Sequence, residues 1–216
     1  MNVLALDGAL GLFSAAAACD ERIAGCAQQS GNIALERGLY IVRQALDEAG
    51  LERACIDRLA VGTGPGSFTG LRIAIAYAKS LAAAWRLPLV PVSSFDLLEF
   101  GRSFDHVLAV VVGRPGVISA RYRFGGQTWR ASGRTADVLE ELLAGRREGP
   151  LDVVGAPKDV LHALAERGLD VRPLDPPVTP AAAAAALAAG SRTPPASLHE
   201  VRADYGELPA AKIPKL

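Results

Sequence analysis

The sequence lacks an excess of either charge. Its 216 residues include 23 Lys and Arg and 23 Asp and Glu, so the formal net charge at pH 7 is zero. A protein that grips nucleic acid by itself needs surplus basic side chains to neutralise phosphates. The charge balance therefore argues against a protein that binds nucleic acid on its own.

Long apolar runs and cysteines are also scarce. Lys79 or Gly and Pro residues interrupt the longest apolar stretches before they reach the ~20 residues of a membrane-spanning helix. The start MNVLALD carries Asp7 and no basic residue before its apolar run, unlike a secretory signal. Cys19, Cys26 and Cys55 lack C-x-x-C spacing and are interpreted as small buried hydrophobes of a reducing cytosol. We expect a cytoplasmic protein without membrane contact.

Groupings of catalytic side chains are missing as well. His106, His162 and His199 show neither H-x-x-x-H nor H-E-x-x-H spacing, and the cysteines do not supplement them. No G-x-S-x-G elbow with a histidine partner is present. We predict no metal site and no catalytic residue in this chain.

What the sequence does have is an ordinary globular composition, with 50% hydrophobic residues, 22 Gly and 14 Pro. Hydrophobic patterning in the first half predicts three antiparallel strands, a helix, a strand, a second helix, a strand and a short helix. Their predicted ranges are 2–7, 12–19, 22–28, 32–49, 59–62, 70–85, 89–92 and 94–100.

The second half of the chain begins in the same way. Its predicted strands are 106–113, 117–124, 127–131, 152–154 and 171–174, and its predicted helices are 135–144, 160–167 and the Ala-rich 180–189. A meander followed by alternating helices and strands is typical of α/β sheets with helices on their faces. We predict two similar lobes, residues 1–103 and 104–216, of which the second is degraded and ends in an irregular tail.

Asp7 is the first candidate functional residue, because it ends the first predicted strand and precedes Gly8. Ligands of α/β sheets bind at the carboxyl ends of strands, where this acid would hold a metal–phosphate or a water. The other interpretation is an acid that only caps a turn. The sequence leaves both open.

The stretch GTGPGSFTG, residues 62–70, joins a predicted strand to a helix, so its N–H groups can cradle an anion. It is neither a Walker A loop nor G-x-G-x-x-G. Arg72 lies in the first helical turn, where the helix dipole disfavours a cation; this favours an acidic or phosphate partner, although a surface arginine also fits. The alternative is a tight turn with Ser67 or Thr69 as the N-cap. The candidate anion- or nucleotide-proximal residues are Asp7, Gly64, Gly66, Ser67, Thr69 and Arg72.

Two predicted helices carry more apolar surface than one core-facing stripe needs. Large residues repeat along the helix 32–49, and small residues repeat along the helix 70–85, where they would let another helix approach closely. One interpretation is burial between layers of the same chain, and the other is a docking face for another subunit. The candidate docking residues are Leu35, Leu39, Val42, Leu46, Ala74, Ala78 and Ala82.

The segment LAVGTGPGSFTGLRIAIAYAKSLAAAWRLPLVPVSSFDLL closely resembles the TsaB (YeaZ) family, accessory subunits of bacterial tRNA threonylcarbamoyladenosine biosynthesis. The string GPGSFTGLR is highly specific to that family. The opening strand with Asp7 and the helix ending LDEAGL match it too, so the resemblance covers about the first hundred residues well. It implies two actin-like (ASKHA, ribonuclease-H-like) lobes.

The resemblance implies that this protein acts by binding a partner enzyme rather than by catalysing a reaction itself. TsaB-like proteins pair through helices of the N-terminal lobe with a TsaD-like transferase, which carries the metal and the active site. With a TsaE-like ATPase and a TsaC-like synthase, they modify the tRNA adenosine next to the anticodon. We therefore expect a non-catalytic subunit that stabilises a TsaD-like transferase and reaches tRNA only through the complex. It would bind no cofactor strongly, with ATP at most at the junction of the assembled complex, and its apolar helices predict a homodimer when it is alone.

The chain departs from the family pattern at two places. It reads Asp-Gly-Ala at 7–9 where the family usually reads Asp-Thr-Ser, and Ala-Leu-Glu at 34–36 where the helix often opens with His-Ser-Glu. Metal-assisted phosphoryl chemistry would need a second carboxylate in the second lobe, and the strand there ends in Gly-Arg-Pro at 113–115. The alternative function is a small actin-like nucleotide-dependent kinase or ATPase that uses Asp7 and the loop 64–70.

Overall fold

The computed structural model of the chain describes residues 1–29, 34–101, 106–145, 149–190 and 196–206. In the first half the elements are β1 Asn2–Asp7, β2 Phe13–Cys19, β3 Arg22–Gln29, α1 Ala34–Ala49, a 3-10 turn Arg53–Cys55, β4 Arg58–Gly64, α2 Phe68–Trp85, β5 Leu89–Ser93 and α3 Ser94–Leu98. In the second half they are β6 His106–Arg114, β7 Val117–Phe124, β8 Gln127–Arg134, α4 Thr135–Gly145, β9 Leu151–Val154, α5 Lys158–Glu166, β10 Val171–Leu174 and α6 Pro180–Gly190.

Two five-stranded sheets share one strand order. The first sheet runs β3-β2-β1-β4-β5, and the second runs β10-β9-β6-β7-β8. In each, the first three strands in chain order form an antiparallel meander, and the next two lie parallel to its first strand. We call the first sheet with α1, α2 and α6 the first lobe, and the second sheet with α4 and α5 the second lobe. The repeated topology confirms the predicted α/β fold of two similar lobes.

The first sheet is covered on both faces. Helices α1 and α2 pack on one face, and α6 packs on the other through alanines such as Ala183 and Ala185, which are fully buried. Burial on both sides explains why β1 and β2 are almost continuously apolar rather than alternating. This double cover buries the end of β1, where Asp7 lies.

Helix α6 comes from the second half of the chain but lies on the first sheet. The N–H of Ala181 donates to the Ser14 hydroxyl of β2 at 3.3 Å, and the guanidinium of Arg58 donates to the carbonyl of Ala188 at 3.1 Å. The division of the chain at residues 103 and 104 stays a prediction. The packing adds that this part of the second half completes the first lobe.

The predicted elements agree with the observed ones except at their ends. Helix α2 begins at Phe68 rather than at residue 70, because the Ser67 side chain accepts a hydrogen bond from the N–H of Gly70 and caps the helix. Strand β8 extends to Arg134 rather than to residue 131. The predicted N-cap Asn32 lies outside the described residues. In the described part of the chain, no helix is long and apolar enough to cross a membrane.

Candidate functional site

Asp7 ends β1 inside the first lobe and is fully buried. Its Oδ1 accepts hydrogen bonds from the N–H of Ala9 at 3.1 Å and of Leu10 at 3.4 Å. Its Oδ2 is buried without a hydrogen-bond partner. A Cβ at Gly62 would overlap with Oδ2, so the glycine leaves the room that this oxygen occupies. Oδ1 therefore caps the β1–β2 turn, and Oδ2 faces the backbone at Gly62.

Burial raises the pKa of Asp7 to about 7, and the two backbone hydrogen bonds offset only part of this effect. The carboxyl group is thus largely protonated below neutral pH. Within the described residues, no group of three or more His, Cys, Asp and Glu side chains is placed to hold a metal ion.

The glycine loop is packed against the backbone of the β1–β2 turn. A Cβ on Gly70 or on Gly8 would overlap with the carbonyl oxygen of the other residue. A Cβ on Gly66 would overlap with the carbonyl oxygen of Ala9, which accepts a hydrogen bond from the N–H of Ser67 at 2.8 Å. Glycine is required at these positions because two backbone segments approach closely. The N–H of Ser67, which an anion bound in this loop would need, is therefore already hydrogen-bonded to the carbonyl oxygen of Ala9.

The other side of the loop meets the segment 196–206. The N–H of Asp204 donates to the carbonyl of Thr63 at 2.7 Å, and a Cβ on Gly64, whose φ is +106°, would overlap with the carbonyl oxygen of Asp204. The loop is thus enclosed by the chain's own backbone on two sides. Anion binding by Gly64, Gly66 and Ser67 stays a prediction, and the observed packing favours the alternative of a tight turn with Ser67 as the N-cap.

The remaining two candidates, Thr69 and Arg72, lie on the exposed first turn of α2. The guanidinium of Arg72 lies over the Phe68 ring, 5.2 Å from its centre. Phe68 is 54% exposed, and the Tyr205 ring lies 4.8 Å from it. Asp7 is buried while Arg72 is exposed, so the structure does not gather the six candidates around one ligand. The two aromatic residues are far apart in the chain, so no local sequence pattern indicates their contact.

A cavity of about 660 Å³ lies between the lobes. Residues such as Leu10, Leu98, Val110 and Val178 line it, and the described residues of its lining include no charged side chain. A nucleoside triphosphate carries several negative charges, and its phosphate groups need cations or free N–H donors beside them. Among the described residues, the lining therefore supplies no cationic side chain for such phosphates.

The small residues that the sequence suggested for docking lie inside the chain. Ala74 and Ala78 are fully buried, and Ala82 is 2% exposed. All three lie in the core that α2 forms with α1 and the first sheet. The prediction that these three form a face for another subunit is therefore corrected. The helix that approaches α2 closely is α1 of the same chain, because a Cβ on Gly38 of α1 would overlap with the Tyr77 ring of α2.

Another face of α1 and α2 is open. A groove of about 340 Å³ separates the two helices, lined by apolar residues including Leu39, Val42, Leu46, Leu81 and Trp85, with charged residues such as Arg43 and Arg53 at its rim. Leu39 is 56% exposed, whereas Val42 and Leu46 are buried in the floor. The side chain of Leu35 lies outside the described residues.

The exposed side of α2 also carries small residues. Ala76, Ser80, Ala83 and Ala84 are exposed and recur at helical spacing, on the side opposite Ala74, Ala78 and Ala82. We call the groove and these exposed residues the α1–α2 face. Of the predicted docking set, Leu39 is exposed on this face and Val42 and Leu46 line its groove, and their part in docking stays a prediction.

Residues 35–192 match the model of a family described as TsaD: tRNA N6-adenosine threonylcarbamoyltransferase. The tRNA threonylcarbamoyladenosine biosynthesis protein TsaB of Escherichia coli K12 is 33% identical over 122 residues, covering 55% of this chain and 53% of that protein. YeaZ from Pseudomonas aeruginosa has the same fold, with a TM-score of 0.71 and 24% identity over 94% of this chain and 99% of that one. The chain belongs to the family that this model describes. The predicted family resemblance is confirmed.

Curated proteins named as TsaD match this chain as well. The tRNA N6-adenosine threonylcarbamoyltransferase of Trichlorobacter lovleyi is 39% identical over 110 residues, which cover 48% of this chain and 31% of that protein. The matches thus span about a third to a half of these curated relatives' own length. The ethanolamine utilization protein EutJ from Carboxydothermus hydrogenoformans shares the fold, with a TM-score of 0.60 at 12% identity. The predicted actin-like fold is confirmed.

Proposed function

We propose that this chain is a non-catalytic subunit that binds and stabilises a TsaD-like transferase for threonylcarbamoylation of the tRNA adenosine next to the anticodon. The observation that carries the proposal is the exposed α1–α2 face. The two candidate catalytic features also support it. Asp7 is buried against the backbone at Gly62, and the glycine loop packs against the backbone of residues 8–9 and 204.

The α1–α2 face has the features of a helix-docking surface. Leu39 stands more than half exposed beside an apolar groove floor, and the adjacent side of α2 is small enough for a partner helix to pack closely. Covering the exposed 56% of Leu39 removes about 1–1.5 kcal/mol of unfavourable hydration. Charged residues at the rim, such as Arg43 and Asp47, stay in water and set the orientation.

The wider complex is part of the same proposal. The partners are a TsaD-like transferase and a TsaE-like ATPase, with a functional link to a TsaC-like synthase. Contact with tRNA belongs to the partners, because this chain has no net positive charge. ATP, where the complex binds it, lies at the junction between subunits. Without its partner, the chain covers the α1–α2 face by forming a homodimer, since an exposed apolar face favours association.

Leu39→Glu tests the docking surface. We expect the affinity for a TsaD-like partner to fall at least about ten-fold, because the glutamate places a charge against the apolar contact. Titration calorimetry or co-elution with the purified partner measures the change. Val112→Glu is the matched control: Val112 is 39% exposed but lies in the second lobe, so its replacement leaves the affinity unchanged. An equal loss in both variants would contradict docking at this face.

The absence of catalysis is tested on the isolated chain. We expect no turnover of ATP above the rate of a buffer blank, and tRNA modification reconstituted with the partner proteins should stop when this chain is omitted. ATP turnover that disappears in Asp7→Asn would contradict the proposal and favour an actin-like kinase or ATPase. Failure of the chain to associate with the partner at micromolar concentration, with or without nucleotide and the ATPase, would also contradict it.

A further inference from the structure

The two lobes contact each other through a buried apolar layer. Phe95 and Leu98 of α3 pack against Val107, Ala109 and Val111 on the face of β6 that points to the first lobe. Helix α3 follows β5 directly, and its Leu97 lies in the core between the first sheet and α6, so we count α3 with the first lobe. Two further sets of contacts hold this layer at separate places.

The first set surrounds Arg121 of β7, whose side chain is 1% exposed. Its Nε donates to Glu99 Oε1 at 2.8 Å, and its Nη1 donates to Asp96 Oδ1 at 2.7 Å. The neighbouring Arg123 places its Nε 2.8 Å from Glu99 Oε2. The guanidinium of Arg121 also lies 5.1 Å from the centre of the Phe95 ring. We call this group the arginine clamp.

The arginine clamp resists separation of the lobes. Its two arginines belong to the second lobe, and its two carboxylates lie in and just after α3. Arg121 and Glu99 are both shielded from water, with 1% and 9% of their side chains exposed. Separating a shielded ion pair leaves each charge without its partner, which is more costly than breaking an exposed pair.

The second set is the segment 196–206, which runs along the first lobe. The N–H of Ala196 donates to the carbonyl of Leu89 on β5 at 3.2 Å, and Asp204 pairs with Thr63 next to the glycine loop. The N–H of Gly206 donates to Asp204 Oδ1 at 2.8 Å, which fixes the end of the segment. We call this segment the C-terminal strap.

The strap reaches the second lobe at Gly206. A Cβ there would overlap with the hydroxyl of Ser119 on β7, and would lie 3.2 Å from the hydroxyl of Ser132 on β8 and 3.3 Å from the Pro65 side chain of the first lobe. Ser119 and Ser132 are hydrogen-bonded to each other at 2.8 Å. Gly206 has a φ of +72°, so both the backbone and the space require glycine.

We propose that the arginine clamp and the C-terminal strap lock the two lobes in one relative orientation, so that this chain does not open and close about an interlobe hinge. Two-domain enzymes commonly close around their ligand by such a hinge motion. Here a buried apolar layer and two sets of polar contacts join the lobes beside the interlobe cavity, so a hinge motion would have to break them. The α1–α2 face therefore keeps a fixed position relative to the second lobe. This inference does not rest on the proposed function.

Spin labels on both lobes test the lock in the full chain. One label occupies the native Cys55, which is exposed on the first lobe, and the other occupies His162→Cys on α5, where the native side chain is 75% exposed. Cys19→Ser and Cys26→Ser remove the other thiols. Double electron–electron resonance should give one narrow distance distribution that saturating Mg-ATP does not change. A second distance, or a shift on adding Mg-ATP, would overturn the proposal.

Variants of the two contacts complete the test. Arg121→Met and Gly206→Val, separately and together, should about double the width of the distance distribution, because each releases or wedges one lobe from the other. The controls are Arg172→Met, which breaks an ion pair with Asp152 inside the second lobe, and Gly168→Val, where φ is +79° and no atom lies nearby. Both controls should keep the narrow distribution. An unchanged width in the clamp and strap variants, or equal broadening in the controls, would overturn the proposal; if Arg121→Met does not fold, Gly206→Val alone decides.

Discussion

Replacing Asp7 with asparagine should stabilise the chain at pH 8 by about 2–4 kcal/mol. The pKa of this carboxyl group is raised by burial from an ordinary 3.8 to about 7 in the folded chain. Between these values the folded chain keeps a proton that the unfolded chain has lost. The native carboxyl group therefore costs stability progressively as pH rises from about 4 to 7, and the cost stays constant above that range. Asparagine has the same shape and no charge, so it avoids this cost.

Urea denaturation at several pH values measures the effect. The difference in free energy of unfolding between Asp7→Asn and the native chain should be small at pH 4, grow up to pH 7 and stay level at pH 8. Asp47→Asn is the control, since that side chain is 69% exposed, and its pH profile should follow the native one. A difference that is equal at pH 4 and pH 8 would contradict a raised pKa.

Glutamate at Ala78 and at Ala76 should give opposite results, although the two positions are neighbours on one helix. Ala78 is fully buried against the first sheet. A carboxylate there has no partner and overfills the core, which costs more than about 4 kcal/mol and prevents folding under ordinary conditions. Ala76 is exposed, so its replacement should change the free energy of unfolding by less than about 0.5 kcal/mol.

Association with the TsaD-like partner separates the two positions further. Ala76→Glu should fold normally yet bind at least about ten-fold more weakly, because the added side chain keeps a partner helix away from the small residues of α2. Thermal denaturation by circular dichroism and co-elution from a sizing column measure the two properties. Normal folding of Ala78→Glu would show that our assignment of the buried side of α2 is wrong. Normal binding by Ala76→Glu would exclude α2 from the docking surface.

Most of the secondary structure was predictable, because its signals are local. Alternation and short apolar runs indicate strands, and Gly, Asp and Ser mark their ends, so the two meanders agree with the prediction. The capping of α2 by Ser67 was among the alternatives that the sequence left open. The string GPGSFTGLR predicted the family, which the comparisons confirm.

The orientation of α2 was not predictable in the same way. This helix is apolar on nearly every side, so its pattern does not indicate which small residues face outward. The sequence left Ala74, Ala78 and Ala82 open to docking or to burial within the chain, and packing against the sheet places them in the core. Helix α6 poses the same problem, since a helix of alanines has no stripe to indicate which sheet it covers.

The sequence by itself determined the elements, their order, the paired sheets and the family of this chain, because these depend on residue patterns within a few turns or strands. The tertiary structure alone determined which side chains and loops are buried and how the lobes contact each other. It buried Asp7 behind Gly62, filled the glycine loop with the backbone of residues 8–9 and 204, and joined the lobes through Arg121 and Gly206. Those contacts link residues far apart in the chain, and whether a side chain or a loop is open depends on which distant segment packs against it.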